Sequence, residues 1–287
     1  MVQPSPSTAP PPLICFQGNC GGRNPHGMTG ALALAQRLAA VLGIPLQTLG
    51  APGQALSGSW QQMLEAVTPD FVSLGRYLEK TLSAGKRPVL TMSRCAGALA
   101  TLPVIARQHP EACIVWFDAH GDLNTPETSE SGYLGGMVIA GAAGLWDSGL
   151  GSDLSLAQVI LAGAHQLDPA EQALIDDKRL LHLPPAQLDV EALQRAINGR
   201  PVYIHLDCDV LQPGVVPSDH QIDGGLATEC LAELMAALAE EDVVGMEVAE
   251  LEARWPNATE PADLTVLVEI LMPLARRLLS DETPCVR

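Results

Sequence analysis

The sequence predicts a three-layer α/β/α sandwich built on a mostly parallel eight-stranded sheet. Three observations point there. Short apolar runs alternate with segments of helical period along the whole 287-residue chain. Runs such as Cys113-Ile-Val-Trp-Phe117 are apolar on both faces, as strands covered by helices on either side must be. An open α/β sheet also commonly reaches this length undivided.

Taken in order, the chain starts with the Pro-rich stretch 1–12, which lacks a basic n-region and an apolar h-region and reads as a flexible extended arm. Residues 13–287 are expected to form one domain, because no shift in composition marks a linker and no repeat is evident. Candidate strands lie at 13–18, 45–50, 88–92, 112–117, 158–163, 179–183, 201–206 and 243–250. Helical segments separate them. Leu231, Leu234, Met235 and Leu238 keep the helical period behind a Thr228 N-cap, and Leu264, Leu267, Leu271, Leu274 and Leu278 do so near the end, with Arg276 and Arg277 on the solvated face. The Gly-rich stretch 132–151 reads as an internal loop region.

Composition excludes several partners. With 16 Lys+Arg against 33 Asp+Glu the formal charge is −17, and the three lysines cannot form the clustered positive surface that nucleic acid or an anionic bilayer requires. No apolar run is long enough to span a membrane. The seven cysteines, at 15, 20, 95, 113, 208, 230 and 285, are odd in number and form no regular framework; with no signal peptide, a reducing cytoplasm is the expected compartment.

In open parallel sheets ligands sit beyond the carboxyl ends of the strands, so chemistry is sought in the residues just after each one. Strand 112–117 runs into Asp118-Ala-His-Gly-Asp122, and strand 201–206 into Asp207-Cys-Asp209. In an extended chain Asp118, His120 and Asp122 share one face, as do Asp207 and Asp209, while Cys208 points away and is no ligand. Four carboxylates without a lysine or arginine nearby repel one another, and a divalent cation relieves this. A single D-x-D at a strand end is as well read as a helix cap or a solvated turn. Two such clusters, one with an imidazole, point to a metal site, and oxygen-rich ligation suits Mn2+ better than structural zinc.

These residues resemble the ureohydrolases, the family of arginase, agmatinase and their relatives. The segment Asp118-Ala-His-Gly-Asp-Leu-Asn-Thr-Pro-Glu-Thr-Ser-Glu-Ser-Gly132 is similar to the family's D-A-H-x-D-x-N-T-P-x-T-x-x-S-G, and Asp207-Cys-Asp209 to its D-x-D. The resemblance implies an arginase-like fold and two Mn2+ per chain: Asp118 and Asp207 bridging, Asp122 on the first ion, His120 and Asp209 on the second. By the same resemblance, the ions would supply an activated water for attack on the guanidino carbon. Asp168-Pro-Ala-Glu171 is similar to a segment whose acids lie near the substrate α-amino group, although two acids here also suit a helix N-terminal turn. Asn124 and Ser131 match positions that hold the α-carboxylate. Together they imply an α-amino acid and rank agmatine lower. Gly245-Met-Glu-Val-Ala-Glu-Leu251 resembles the strand whose last acid pairs with the guanidinium, which places that acid at Glu250; Glu247 is second, with a core-edge acid as its plainer reading. The resemblance also implies a homo-oligomer, although no stretch specifies an interface.

Two positions depart from the pattern. Counting back from Asp118, the family's first metal-binding His, in its G-G-D-H segment, falls on Cys95 of Met92-Ser-Arg-Cys95. Cys95 either ligates as a thiolate, giving a weaker first site, or is a small buried residue at a strand-to-helix corner. Gly135, in Tyr133-Leu-Gly-Gly136, stands where arginases carry a His. A proton for the leaving amine must then come from elsewhere, with Asp122 nearest and His165 and His220 further candidates. His26 belongs either to the site's rim or to a plain turn.

The two departures resemble the branch that hydrolyses Nω-hydroxy-L-arginine to hydroxyurea and L-ornithine in D-cycloserine formation. A hydroxyguanidine, less basic than a guanidine, tolerates a weaker metal pair and a missing acid. The alternatives are an ordinary arginase, another guanidino-acid hydrolase, and a metal-poor binding or regulatory relative. Retention of Asp118, His120, Asp122, Asp207 and Asp209 argues against the last.

Overall fold

A computed structural model describes residues 12–280, so the expected arm lies, Pro12 apart, outside the described residues. All eight expected runs form strands: β1 Leu13–Phe16, β2 Gln47–Leu49, β3 Val89–Met92, β4 Cys113–Phe117, β5 Val159–Ala162, β6 Leu181–Leu183, β7 Val202–Asp207 and β8 Val243–Ala249. They join in one sheet in the order β2-β1-β3-β8-β7-β4-β5-β6, and every pairing is parallel. Among the described residues eight helices accompany them: α1 His26–Leu42, α2 Trp60–Ser83, α3 Ala98–Gln108, α4 Val138–Ala142, α5 Pro169–Asp176, α6 Val190–Ile197, α7 Thr228–Leu238 and α8 Thr265–Leu279.

The strand period of two builds the three layers. Ile14, Phe16, Leu90, Met92, Ile114 and Trp116 face one way and pack with Phe71, Leu74 and Leu78 of α2 and Leu99, Leu102 and Ile105 of α3. Leu13, Val89, Val115, Phe117, Ile204 and Leu206 face the other way, against Leu34 of α1, Leu193 of α6, Leu231 and Leu234 of α7 and Leu267 and Leu271 of α8. Both faces of the central strands are dry, which is why they read as unbroken apolar runs.

Two expectations need correction. Thr228 is the first helical residue of α7 and Ala227 holds the cap position; the Thr228 hydroxyl bonds instead to the Glu229 carboxylate at 3.1 Å. The stretch 132–151 is not all loop, since a 3-10 turn at Gly135–Met137 leads into α4. Val138 to Ala142 are buried, and a Cβ at Gly141 would lie 2.8 Å from Leu99 and 2.9 Å from Trp146, so glycine there serves close helix packing. Arg276 and Arg277 are exposed on α8, as expected.

Four neighbouring strands, β3, β8, β7 and β4, form the centre of the sheet. Their carboxyl ends lead into Arg94-Cys95, Glu250, Asp207 to Asp209 and Asp118 to Asp122, respectively. Segments far apart in sequence therefore meet at one crevice.

Candidate active site

The site lines a cavity of about 210 Å³, whose walls include Cys95, His120, Asp122, Asp207, Asp209 and Glu250 at the inner end. Asn124, Ser131, Asp168 and Glu171 line it too, together with Arg23, Tyr133 and His220. Asp118 lies behind this wall, its carboxylate accepting from Trp116 Nε1 at 3.0 Å and from the His120 backbone N–H at 2.7 Å.

The acids do not share one face as an extended chain would have it. Asp122 takes a left-handed backbone, φ +50°, and residues 208–210 turn into a 3-10 helix in which the Asp209 N–H bonds to Asp207 Oδ1 at 2.7 Å. The donors consequently sort into overlapping groups. Cys95, Asp118 and Asp122 form one; Asp118, His120 and Asp209 form a second; Cys95, Asp207 and Glu250 form a third, each with ligand atoms within 4.8 Å of one another. His120 Nδ1 lies 3.0 Å from Asp209 and 3.3 Å from Asp118. Cys208 is buried among apolar side chains of the opposite layer.

Electrostatics mark this cluster as built for cations. Burial and then Asp118 push the Asp122 carboxyl well above the usual carboxylate range, and burial followed by Asp209 does the same to Asp207. Although burial opposes it, hydrogen bonding to Asp118 and Asp209 pushes His120 up to about 11. Burial first and Asp207 next raise the Cys95 thiol. Asp122 Oδ2 is buried with no hydrogen-bond partner, which natural proteins rarely tolerate without a ligand. Five carboxylate and imidazole donors, Asp122 with its orphaned oxygen among them, and a thiol fit a pair of divalent cations.

Contrary to the expectation of acids without a basic neighbour, an arginine is buried beside them. Arg94 is 1% exposed, and its guanidinium contacts Glu250 Oε2 at 2.5 Å, Asn24 Oδ1 at 2.7 Å and Glu252 Oε1 at 3.2 Å. Glu250 itself, at φ +64°, accepts the Cys95 backbone N–H at 2.9 Å and the Tyr133 hydroxyl at 3.2 Å through Oε1. Cys95 Sγ lies 3.0 Å from Asp207 Oδ2 and 3.1 Å from His205 Nε2. His205, stacked 3.5 Å from Trp116, holds Glu247 through Nδ1 at 2.7 Å, and Tyr203 and Thr101 also donate to Glu247, each at 2.7 Å. Glu247 is fully buried and does not line the cavity, in keeping with its plainer reading.

At the outer end Asp168 caps α5 and accepts an amide hydrogen of Asn124 at 2.7 Å. Glu171 accepts the backbone N–H groups of Leu123 at 2.9 Å and Asp168 at 2.8 Å, so it braces the loop after β4. Both acids thus serve the helix N-terminus and also line the cavity. Tyr133 explains Gly135: a Cβ at 135 would lie 2.5 Å from the Tyr133 ring. His220 lines the cavity 5.3 Å from that ring; His165 and His26 do not, the latter starting α1 at the surface. Arg23 stands at the mouth and donates to the Ser131 carbonyl at 3.0 Å.

The arginase family's sequence profile matches residues 78–272. The chain belongs to the arginase family. As an arginase-family protein it is a hydrolase of C–N bonds. It is 34% identical over 91% of its length, and 96% of the relative's, to N(omega)-hydroxy-L-arginine amidinohydrolase of Streptomyces lavendulae. Against arginase of Bacillus caldovelox the identity is 26% over 63% of this chain and 66% of that one. The fold is shared with the arginase of Bacillus subtilis, with a TM-score of 0.78 at 21% identity over 94% of this chain and 98% of that one. No helix among the described residues is long and apolar enough to cross a membrane.

Proposed function

We propose that this arginase-family hydrolase converts Nω-hydroxy-L-arginine and water to L-ornithine and hydroxyurea, with residues 13–287 as one catalytic unit working in the cytoplasm. The observation that carries this reading is the inner end of the cavity, where Cys95 stands among the acids and Tyr133 occupies the space above Gly135. The similarity to the Streptomyces lavendulae protein supports it. We assign Cys95, Asp118, His120, Asp122, Asp207 and Asp209 as the residues that would hold two Mn2+ ions. When bound, such a pair activates water and neutralises the clustered carboxylates.

The chain's own residues do the rest. Asn124, Ser131 and Arg23 receive the α-carboxylate, the last as a fixed cation at the mouth, while Asp168 and Glu171 face the α-amino group. Glu250 meets the guanidino group. Asp122, whose Oδ2 has no other partner, passes a proton to the departing amine.

The test offers arginine, Nω-hydroxyarginine, agmatine and formiminoglutamate side by side to protein supplied with Mn2+. Ornithine release from hydroxyarginine in preference to the others is the expected result; equal efficiency with arginine overturns the specialised reading in favour of an ordinary arginase.

A further inference from the structure

We infer that Arg94 sets the charge of the group this site accepts: by occupying Glu250 it makes the inner end a receptor for a neutral guanidino group and disfavours a guanidinium. This rests on the proposed reaction and specifies the charge state of its substrate.

Hydrogen-bond capacity at Glu250 is what excludes the cation. The other inner carboxylates, Asp118, Asp122, Asp207 and Asp209, are those assigned to the two cations, so Glu250 is the acid left to meet the guanidino end. A carboxylate offers about four lone-pair sites. Arg94 takes one on Oε2, while the Cys95 N–H and the Tyr133 hydroxyl fill Oε1. One site remains, on Oε2. A guanidinium binds a carboxylate through two parallel N–H donors, one to each oxygen, and that fork finds no place here.

Arg94 cannot step aside to make room. It lies behind the cavity wall at 1% exposure and is held by Asn24, Glu252 and Asp219, the last at 3.2 Å, as well as Glu250. Its guanidinium remains charged at any working pH. An incoming cation would therefore share one carboxylate with a resident cation, whereas a neutral group needs only the single remaining acceptor. Arginine carries a full positive charge at neutral pH; a hydroxyguanidine yields a neutral form far more readily. Arg94 touches no substrate in this account, and it acts as a positioning residue through Glu250.

L-Citrulline separates charge from shape, since its ureido group is a permanently neutral counterpart of the guanidinium. Calorimetric binding of L-citrulline and L-arginine to the full-length Mn2+-loaded protein should favour citrulline by about tenfold, the difference between a spare neutral acceptor and a competed charge pair. Arg94→Lys should keep that preference. Arg94→Met combined with Glu252→Gln frees Glu250 without stranding Glu252, and should reverse it. Arginine binding as tightly as citrulline to the wild type, or an unchanged ratio in the folded double variant, overturns the inference. Should the double variant fail to fold, Arg94→Gln, which removes the resident charge while keeping a donor to Glu250, should lose the citrulline preference, and an unchanged ratio there overturns the inference. Binding does not require turnover: citrulline preference without ornithine release from hydroxyarginine would remove the proposed reaction and sustain the role of Arg94.

Discussion

Replacing Gly135 by alanine probes the link between Tyr133 and Glu250. The added Cβ would lie 2.5 Å from Cε1 and 3.1 Å from Cζ of Tyr133, against an ordinary carbon contact of about 3.5–4.0 Å. The ring must therefore swing away by about 1 Å. Its hydroxyl, 3.2 Å from Glu250 Oε1, then leaves hydrogen-bond range. Overpacking of this kind costs about 1–3 kcal/mol, and losing a hydrogen bond to a charged group adds about 1.5–3 kcal/mol, so Gly135→Ala should cost roughly 3 kcal/mol. Urea unfolding of the Mn2+-free protein measures the stability, and kcat/KM for hydroxyarginine reports the site. Tyr133→Phe isolates the hydroxyl. In a Tyr133→Ala background the added methyl meets no ring, and the double-mutant cycle should return a coupling of about 2 kcal/mol. An equal cost of Gly135→Ala in both backgrounds would refute the claim that Tyr133 fills the space above residue 135.

Three further outcomes are expected. Arg23→Ala should raise KM for hydroxyarginine by about tenfold with little change in kcat, and leave KM for agmatine, which has no α-carboxylate, where it was. Glu247→Ala should cost about 3–5 kcal/mol in thermal or urea unfolding, because His205, Tyr203 and Thr101 lose a shared buried partner. Asp122 and Asp207 are held above the usual carboxylate range in the folded state, first by burial and then by neighbouring carboxylates, so the metal-free fold keeps protons that the unfolded chain releases. Its stability should fall as pH rises above the ordinary carboxylate range, and Mn2+ should raise Tm more at about pH 8 than at about pH 5; a larger effect at the lower pH would contradict this.

The sheet was legible because its six inner strands are dry on both faces and are separated by glycine and helical period, while the half-exposed edge strands β2 and β6 were marked by shorter apolar stretches. The acids after β4 and β7 were legible for the same reason, as polar residues packed tightly behind apolar strands. What escaped depends on pairing between distant segments. Arg94 and Glu250 are 156 positions apart, and nothing near Arg94 in sequence shows that its charge will be buried. Tyr133 escaped because a glycine two residues on gives no sign of a ring above it. His205 and Glu247 did leave a signal: each interrupts an apolar strand, and the two stand opposite each other in the β7 and β8 register. A polar residue midway along such a strand needs a partner next door, and two of these on adjacent strands answer one another.

The order of the sheet also bears on how the protein is made. β3 and β4 are consecutive in the chain yet never pair with each other, because β8 and β7 lie between them. Without β7 and β8, β1 to β3 and β4 to β6 would be two half-sheets, with the apolar strands β3 and β4 as unpaired edges. Insertion of β7 and β8 closes both edges together and brings the acids of all four central strands into one place. A chain ending before β7 would leave the edges of β3 and β4 unpaired and would lack Asp207, Asp209 and Glu250.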